Sequence, residues 1–176
     1  MPPPQVLIVT GAMAAGKSTL AQALAERLER AVHLRGDVFR KMIVSGRAVP
    51  GEGEEGIAQL KMRYDLAVLA AAKYASSGFS VVYQDVVLGE DLLEAVRRLK
   101  RWRPGVVVLN PPAGVLAQRD RDRAKTGYGG PWSAEGFARM VAQTPRVGLW
   151  IDNAGLTVAE TVAAILADPD ATRIGL

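Results

Sequence analysis

Residues 5–18 read Gln5-Val6-Leu7-Ile8-Val9-Thr10-Gly11-Ala12-Met13-Ala14-Ala15-Gly16-Lys17-Ser18. The first six form a continuous apolar run rich in β-branched residues, the pattern of a strand buried on both faces. The next eight fit the spacing Gly-x-x-x-x-Gly-Lys-Ser between that strand and a helix opening at Lys17, the context in which the pattern marks a phosphate-binding loop. Such a loop curls backbone N–H groups around an anion and needs glycine where a Cβ would obstruct the turn or the phosphate. The helix behind it adds the positive end of its dipole. Gly11, Ala12, Met13, Ala14, Ala15, Gly16, Lys17, Ser18 and Thr19 are the expected triphosphate contacts. Lys17 reaches the β- and γ-phosphates, the Ser18 hydroxyl ligates Mg²⁺ and Thr19 meets the α-phosphate.

Outward from this stretch, short apolar runs alternate with segments of helical period. Leu20, Leu24 and Leu28 recur every four residues and predict a helix over Lys17 to Arg30. Ala31 to Arg35 is a second strand, and Val38 to Val44 a short helix. Ser45 to Gly56 is a loop expected to line an acceptor pocket, and Ile57 to Ser77 a long helix stopped by Gly78. Phe79 to Tyr83, Gly105 to Leu109 and Val147 to Ile151 complete five strands. Helices are expected over Glu90 to Trp102, from Pro112 to about Lys125, over Ser133 to Gln143 and over Thr157 to Ala167, the last with a Thr157–Glu160 capping box. Five buried-type strands alternating with helices predict an α/β fold: three layers, a mostly parallel sheet covered on both faces, with a small lid at about 119–132. Ligands then bind beyond the carboxyl ends of the strands, at Gly11 to Ser18, Gly36-Asp37, Gln84-Asp85, Asn110 and Asp152-Asn153.

Composition trims the alternatives. At 176 residues the chain has the size of one domain, residues 1–176. With no cysteine, thiolate zinc sites, iron–sulfur clusters and cysteine nucleophiles are excluded, and a single histidine, His33, disfavours a Ser-His-Asp triad. No basic leader or membrane-length apolar run occurs, so the expectation is a cytoplasmic protein without membrane contact. The net charge is +4, and it sits unevenly. Arg97, Arg98, Lys100, Arg101, Arg103, Arg119, Arg121, Arg123 and Lys125 face only Asp120 and Asp122 between 97 and 125, a segment of +7 in a chain whose remainder sums to −3. A local cluster asks for a local anion.

Two parts of that cluster read differently. Arg119 and Arg123 share a helical face at i,i+4 ahead of the glycine-rich break at Gly127, with the aspartates between them turned outward; this describes a lid that closes over a triphosphate. The arginines from 97 to 103 belong to an outer helix whose buried stripe is Leu92, Leu93, Val96 and Leu99, the pattern of a solvated face. On the acceptor side, Asp37-Val38-Phe39-Arg40 places a carboxylate and a guanidinium one turn apart. Asp37 is expected to take the proton of an attacking hydroxyl and Arg40 to hold the acceptor or spread transition-state charge. The competing assignment is a helix cap with its i,i+3 partner. Asp85, closing the third strand, is expected to hold Mg²⁺ through water or to bond an acceptor hydroxyl. His33 and the tryptophans are read as packing, with Trp132 the one candidate for stacking on a substrate.

In their order along the chain, Gly11 to Ser18, Gly36-Asp37-Val38-Phe39-Arg40, Asp85 and Arg119-x-x-x-Arg123 resemble the small P-loop kinases that carry a lid. The chain is similar to the chloramphenicol phosphotransferase-like group, particularly from Val81 to Gly89. The Asp37–Arg40 pair also looks like that of the kinase domain of 5′-polynucleotide kinases and of zeta-toxin-like kinases of nucleotide sugars. The resemblance implies transfer of the γ-phosphate of ATP to a hydroxyl of a small molecule, antibiotic-like or metabolite, with the residue matching Asp37 as base. In the polynucleotide kinases the arginine matching Arg40 binds the acceptor's phosphate, so nucleic acid is the alternative acceptor. A further alternative is a regulatory module that binds ATP without turnover. The chloramphenicol group need not carry an arginine at position 40, a departure that separates this chain from that acceptor.

Overall fold

The computed structural model describes residues 5–123, 127–129 and 132–174. Five strands, β1 (Val6–Gly11), β2 (Ala31–Arg35), β3 (Ser80–Gln84), β4 (Gly105–Leu109) and β5 (Leu149–Ile151), form one sheet of order β2-β3-β1-β4-β5. Every pairing is parallel. The five residues of β4 are all buried, as are Val81, Val82 and Tyr83 of β3, so the β-branched runs fill the centre of the sheet, while the edge strands β2 and β5 are partly buried.

The helices are α1 (Lys17–Ala25), α2 (Asp37–Lys41), α3 (Gly53–Ser76), α4 (Gly89–Leu99), α5 (Ala113–Arg121), α6 (Ala134–Ala142) and α7 (Val158–Ala167). The chain leaves β1 toward the β2 edge and thereafter runs the other way. Right-handed crossovers therefore put α1 on one face and α3 and α4 on the other. The packing agrees: α1 lies against α7, and α3 against α4. The expected three-layer parallel α/β architecture is the one observed.

Several boundaries differ from the periodic reading. The first helix ends at Ala25 instead of Arg30, because Arg27 and Leu28 donate to Leu24 and Ala25 in tight turns that lead into β2. The long helix starts at Gly53, four residues ahead of Ile57. The Glu90–Trp102 helix closes at Leu99 into a 3₁₀ turn over Lys100–Trp102, and Arg103 then takes φ +49 ahead of Pro104. The helix expected to run to about Lys125 ends at Arg121; residues 124–126 lie outside the described set. The Thr157–Glu160 capping box is present as expected.

The register carries all five strand ends to one edge. Gly11 pairs with Leu109, Leu109 with Ile151, and Gln84 lies beside both Val9 and Arg35. That edge holds the residues of interest.

Candidate active site

The loop after β1 is shaped by two glycines and its neighbours. Gly11 has φ +138, and a Cβ there would sit 2.4 Å from the Leu109 carbonyl oxygen. Gly16 has φ +96 as α1 opens, and Ala14 between them is left-handed at φ 63, a conformation a non-glycine residue adopts at a cost. Lys17 folds back over the loop, and its Nζ donates to the Ala12 carbonyl at 2.6 Å. The ammonium is almost wholly buried. Burial first, then the Arg63 and Arg123 charges, push its pKa down to about 7 against the pull of Asp37. A buried cation with a neutral carbonyl as its partner, at the mouth of a glycine-turned loop, fits a phosphate anion. Ser18 Oγ donates to Gln84 Oε1 at 3.2 Å, which fixes the hydroxyl at the strand edge.

Among the described residues no three His, Asp or Glu side chains gather as a metal cage. Were Mg²⁺ bound here, Ser18 would be the side chain of the loop placed to ligate it, with phosphate oxygens and water completing the shell, as is usual for this ion.

The acceptor side faces the loop across a cavity of about 550 Å³ whose walls include Lys17, Ser18, Asp37, Arg40, Asp85 and Arg123. Residues far apart in the chain therefore meet in one space. Asp37 opens α2 and is ion-paired with Lys41, while Arg35 Nε stands 3.8 Å from its Oδ1. The i,i+3 pairing of Asp37 with Arg40, the competing structural assignment, is not formed. Arg40 turns instead to the 45–52 loop, where Nη2 donates to the Ala48 carbonyl at 2.9 Å. Burial alone would raise the Asp37 pKa, but the Lys41 bond and charge, with Arg35 and Arg63, hold it below its ordinary value. The carboxylate is ionised at neutral pH, and its Oδ1 has no hydrogen-bond partner.

Asp85 is 2 % exposed, and its oxygens are already engaged. Arg63 of α3 grips it in a two-toothed ion pair, with Nε 3.0 Å from Oδ2 and Nη2 on Oδ1. The Val86 N–H donates to Oδ1 at 2.7 Å, and the Tyr83 hydroxyl to Oδ2 at 3.3 Å. Gly36 makes room for this group, since a Cβ there would fall 1.8 Å from Oδ2. The strand-edge side chain that meets the Ser18 hydroxyl is Gln84, one residue earlier.

The two lid arginines separate. Arg119 Nη2 donates to the Asn153 carbonyl at 2.8 Å, and its Nη1 lies 3.4 Å from the Ala15 carbonyl, so it braces the outside of the phosphate loop. Asn153 Nδ2 donates to the same Ala15 oxygen at 3.0 Å. Arg123 lies beyond the end of α5 and lines the cavity. The aspartates were expected to face outward, and for Asp120 this is corrected. It is buried at 4 % exposure, ion-paired with Arg123, and accepts the N–H groups of Gly127 and Tyr128 at 2.9 and 3.0 Å. Folding the chain back on this carboxylate is what stops α5. Tyr128 then donates its hydroxyl to the Met13 carbonyl at 2.5 Å, tying the lid to the phosphate loop. Trp132 lines the cavity and packs on Phe137, ring centroids 5.3 Å apart.

Arg63 and Tyr128 were not anticipated from sequence. The signal for Arg63 was present: at i+3 from Leu60 and beside Tyr64, it faces the way the apolar stripe of α3 does. The outer basic helix behaves as a solvated face, with Arg97 near Glu90 and Glu94 and Arg98 on Asp65. His33 takes a packing role, Nδ1 lying 2.8 Å from Gln22 Oε1.

A glycine-turned loop between the central strand of a parallel sheet and its helix, with lysine and serine placed for phosphate and Mg²⁺, defines a P-loop nucleotide-binding protein. The chain belongs to the AAA domain family, whose model matches residues 6–145. No curated protein matches the sequence. Its fold is similar to that of the APS kinase of Mycobacterium tuberculosis, at TM-score 0.72 and 18% identity over 95% of this chain and 98% of that one. The tunicamycin resistance protein of Deinococcus radiodurans is similar at TM-score 0.69 and 18% identity, covering 95% of each chain. A gluconokinase from Sinorhizobium meliloti 1021 is similar at TM-score 0.64 and 20% identity, over 95% and 92%. The resemblance to small P-loop kinases thus holds at the level of the fold. No helix among the described residues is long and apolar enough to cross a membrane.

Proposed function

We propose that the protein, acting as a single unit over residues 1–176, is an ATP- and Mg²⁺-dependent phosphotransferase that moves the γ-phosphate to a hydroxyl of a small molecule. The observation that carries this reading is the common cavity of Lys17, Ser18, Asp37 and Arg123, which sets a phosphate loop, a carboxylate and a lid cation around one space. The tunicamycin resistance protein, the gluconokinase and the APS kinase lend their shape to the same reading.

In this reading the loop amides and Lys17 hold the triphosphate, and Ser18, oriented by Gln84, holds the metal. Mg²⁺, when bound, withdraws charge from the phosphate oxygens. Asp37 accepts the proton of the acceptor hydroxyl as that oxygen bonds to the γ-phosphorus and the bond to the ADP oxygen breaks. Arg123 meets the charge on the migrating group, while Arg119 steadies the loop from outside. Arg40 and Asp85, the latter through Arg63, shape the acceptor end. Arg97 and Arg98 are engaged by surface acids, whereas Lys17, Arg40, Arg63 and Arg123 line the cavity, which supports a small ligand over a nucleic-acid strand.

The test is γ-³²P transfer from Mg·ATP across a panel of hydroxylated metabolites, antibiotics and nucleotide sugars, with a 5′-OH oligonucleotide at low salt as a separate arm. For whichever acceptor is labelled, Asp37→Asn is expected to lower kcat by about 10²–10⁴ with the fold retained. Unchanged transfer would remove Asp37 as the base. Acceptor-independent ATP binding with no label moved would favour a non-catalytic module.

A further inference from the structure

Helix α3 carries two faces. Leu60, Arg63 and Tyr64 line the cavity from its inner side. On the outer side Met62, Leu66 and Leu69 stand 42, 37 and 60 % exposed, and their spacing of four and three residues aligns them in one apolar stripe. Single exposed apolar side chains are ordinary on a surface, but a ridge of three at this spacing is the pattern of a helix that packs on another. Both flanks of the ridge are held from within the chain. On one side Lys61 pairs with Asp91 and Asp65 with Arg98, fastening α3 to α4. On the other, Gln59 accepts from the Ala48 N–H at 2.9 Å and donates to the Gly46 carbonyl at 2.8 Å, holding the 45–52 loop. Helix α2, which packs against α3, adds exposed Val38 and Met42.

The charges at the ends of the ridge indicate what covers it. Glu55 and Lys73 are separated by about five whole turns, roughly 27 Å along the axis, so they stand in line with the stripe and beyond its two ends. Both are exposed, and neither meets an opposite charge among the described residues. Tyr64 lies midway between them in the chain, and midway between Met62 and Leu66 as well. When a second α3 is laid antiparallel and crossed at that level, Glu55 of each copy faces Lys73 of the other, and Met62 faces Leu66. Leu69 falls between Ala58 and Met62 of the other copy, where the alanine leaves room. The stripe is complementary to its own reverse, which is the requirement for an isologous pair and which a foreign partner would not impose.

We propose that the protein associates with a second copy of itself through the outer faces of α3, antiparallel and crossing at the level of Tyr64. A shallow crossing of about 20° keeps the two helices within reach over this length. Burial of Met62, Leu66 and Leu69 drives the contact, while the Glu55–Lys73 pairs at both ends fix its direction and register. Both copies use the same surface, so association closes at the dimer. The inner face, with Arg63 on Asp85, is left as it is, and the pairing stands apart from any reading of the reaction.

Sedimentation equilibrium of the full chain, over a concentration series reaching about 100 µM, reads the mass directly. A reversible monomer–dimer equilibrium is expected, with a Kd on the order of micromolar because one helix pair is a small interface. Leu66→Asp should weaken it more than tenfold. Glu55→Lys or Lys73→Glu alone sets like charges against each other at both ends, and should weaken it by about tenfold at low salt and by less at high salt. The double variant Glu55→Lys/Lys73→Glu should regain the affinity of the natural chain. The two single variants, mixed, should pair with each other more tightly than either pairs with itself, an exchange that a general loss of stability does not produce. Far-UV circular dichroism checks that each variant is folded, and the charge variants carry the test should Leu66→Asp fail to fold. A chain that stays monomeric throughout overturns the proposal and leaves the stripe to a partner of another kind. Mass that climbs past the dimer, a dimer indifferent to a folded Leu66→Asp, or single charge variants that show no preference for each other would also overturn it.

Discussion

Lys17 shows how one residue can hold a charge in readiness. With its pKa near 7 in the folded protein and about 10.4 in an unfolded chain, the unfolded state binds more protons between those values. Stability of the ligand-free protein from this group therefore rises with pH from about 7 to about 10.4, and below 7 the full cost of burying the ammonium is present. A triphosphate reverses the preference, since an anion beside Nζ favours the charged form. Nucleotide binding at pH 8.5 should accordingly take up close to one proton. Calorimetry in buffers of different ionisation enthalpy would read that uptake, and Lys17→Met should abolish it. Uptake unchanged in the variant would place the titrating group elsewhere. At the same scale lies Arg63, one of the two residues not anticipated from sequence. Arg63 and Asp85 are 22 positions apart on different elements, and no local period joins a mid-helix arginine to a strand-end aspartate.

Among the elements, α3 depends on a feature that its composition conceals. Gly56 sits in its first turn, where alanine would ordinarily be the better helix former by about 1 kcal/mol. Here a Cβ would fall 2.1 Å from the Val49 carbonyl oxygen, so the glycine lets the 45–52 loop pass against the helix. The sign of the substitution therefore inverts. Gly56→Ala should destabilise the protein by about 1–3 kcal/mol in urea unfolding and loosen the loop that Arg40 holds at Ala48. A neutral or stabilising result would mean that the loop moves aside freely. Element identity was legible throughout because buried parallel strands leave unbroken apolar runs and the helices carry 3.6-residue stripes. Element ends were less so. The Thr157–Glu160 box is a local signal and was readable, whereas α5 ends on bonds from Gly127 and Tyr128 to Asp120, a return of the chain that periodicity does not encode.

For the whole molecule, the parallel register of the five strands places every carboxyl end at one edge, and a ligand seated there bridges loop, lid and acceptor side. Mg·ATP or its analogue should thus stabilise the fold by mass action, about 2.7 kcal/mol at one hundred times Kd. For a chain of 176 residues that corresponds to a rise in Tm of roughly 5–10 °C, read by differential scanning fluorimetry. Lys17→Ala should lose most of the shift. A full shift in that variant would move the nucleotide away from this loop.

The phosphate loop, the parallel α/β layering and the acidic and basic positions along the functional edge are determined by sequence alone. Each is written in residues adjacent in the chain, where glycine conformation, strand and helix period and a helix N-terminus act locally. The pairing was decided by tertiary structure. Asp37 binds Lys41 instead of Arg40, Asp85 is taken by Arg63, Gln84 meets Ser18, and Asp120 turns inward to hold the lid. Charges choose partners by distance in space and by how much water is removed around them, and both are set only when the strands come into register. The +4 of the chain becomes specific in the same way: Arg97 and Arg98 meet nearby acids at the surface, while Lys17, Arg40 and Arg123 line the cavity.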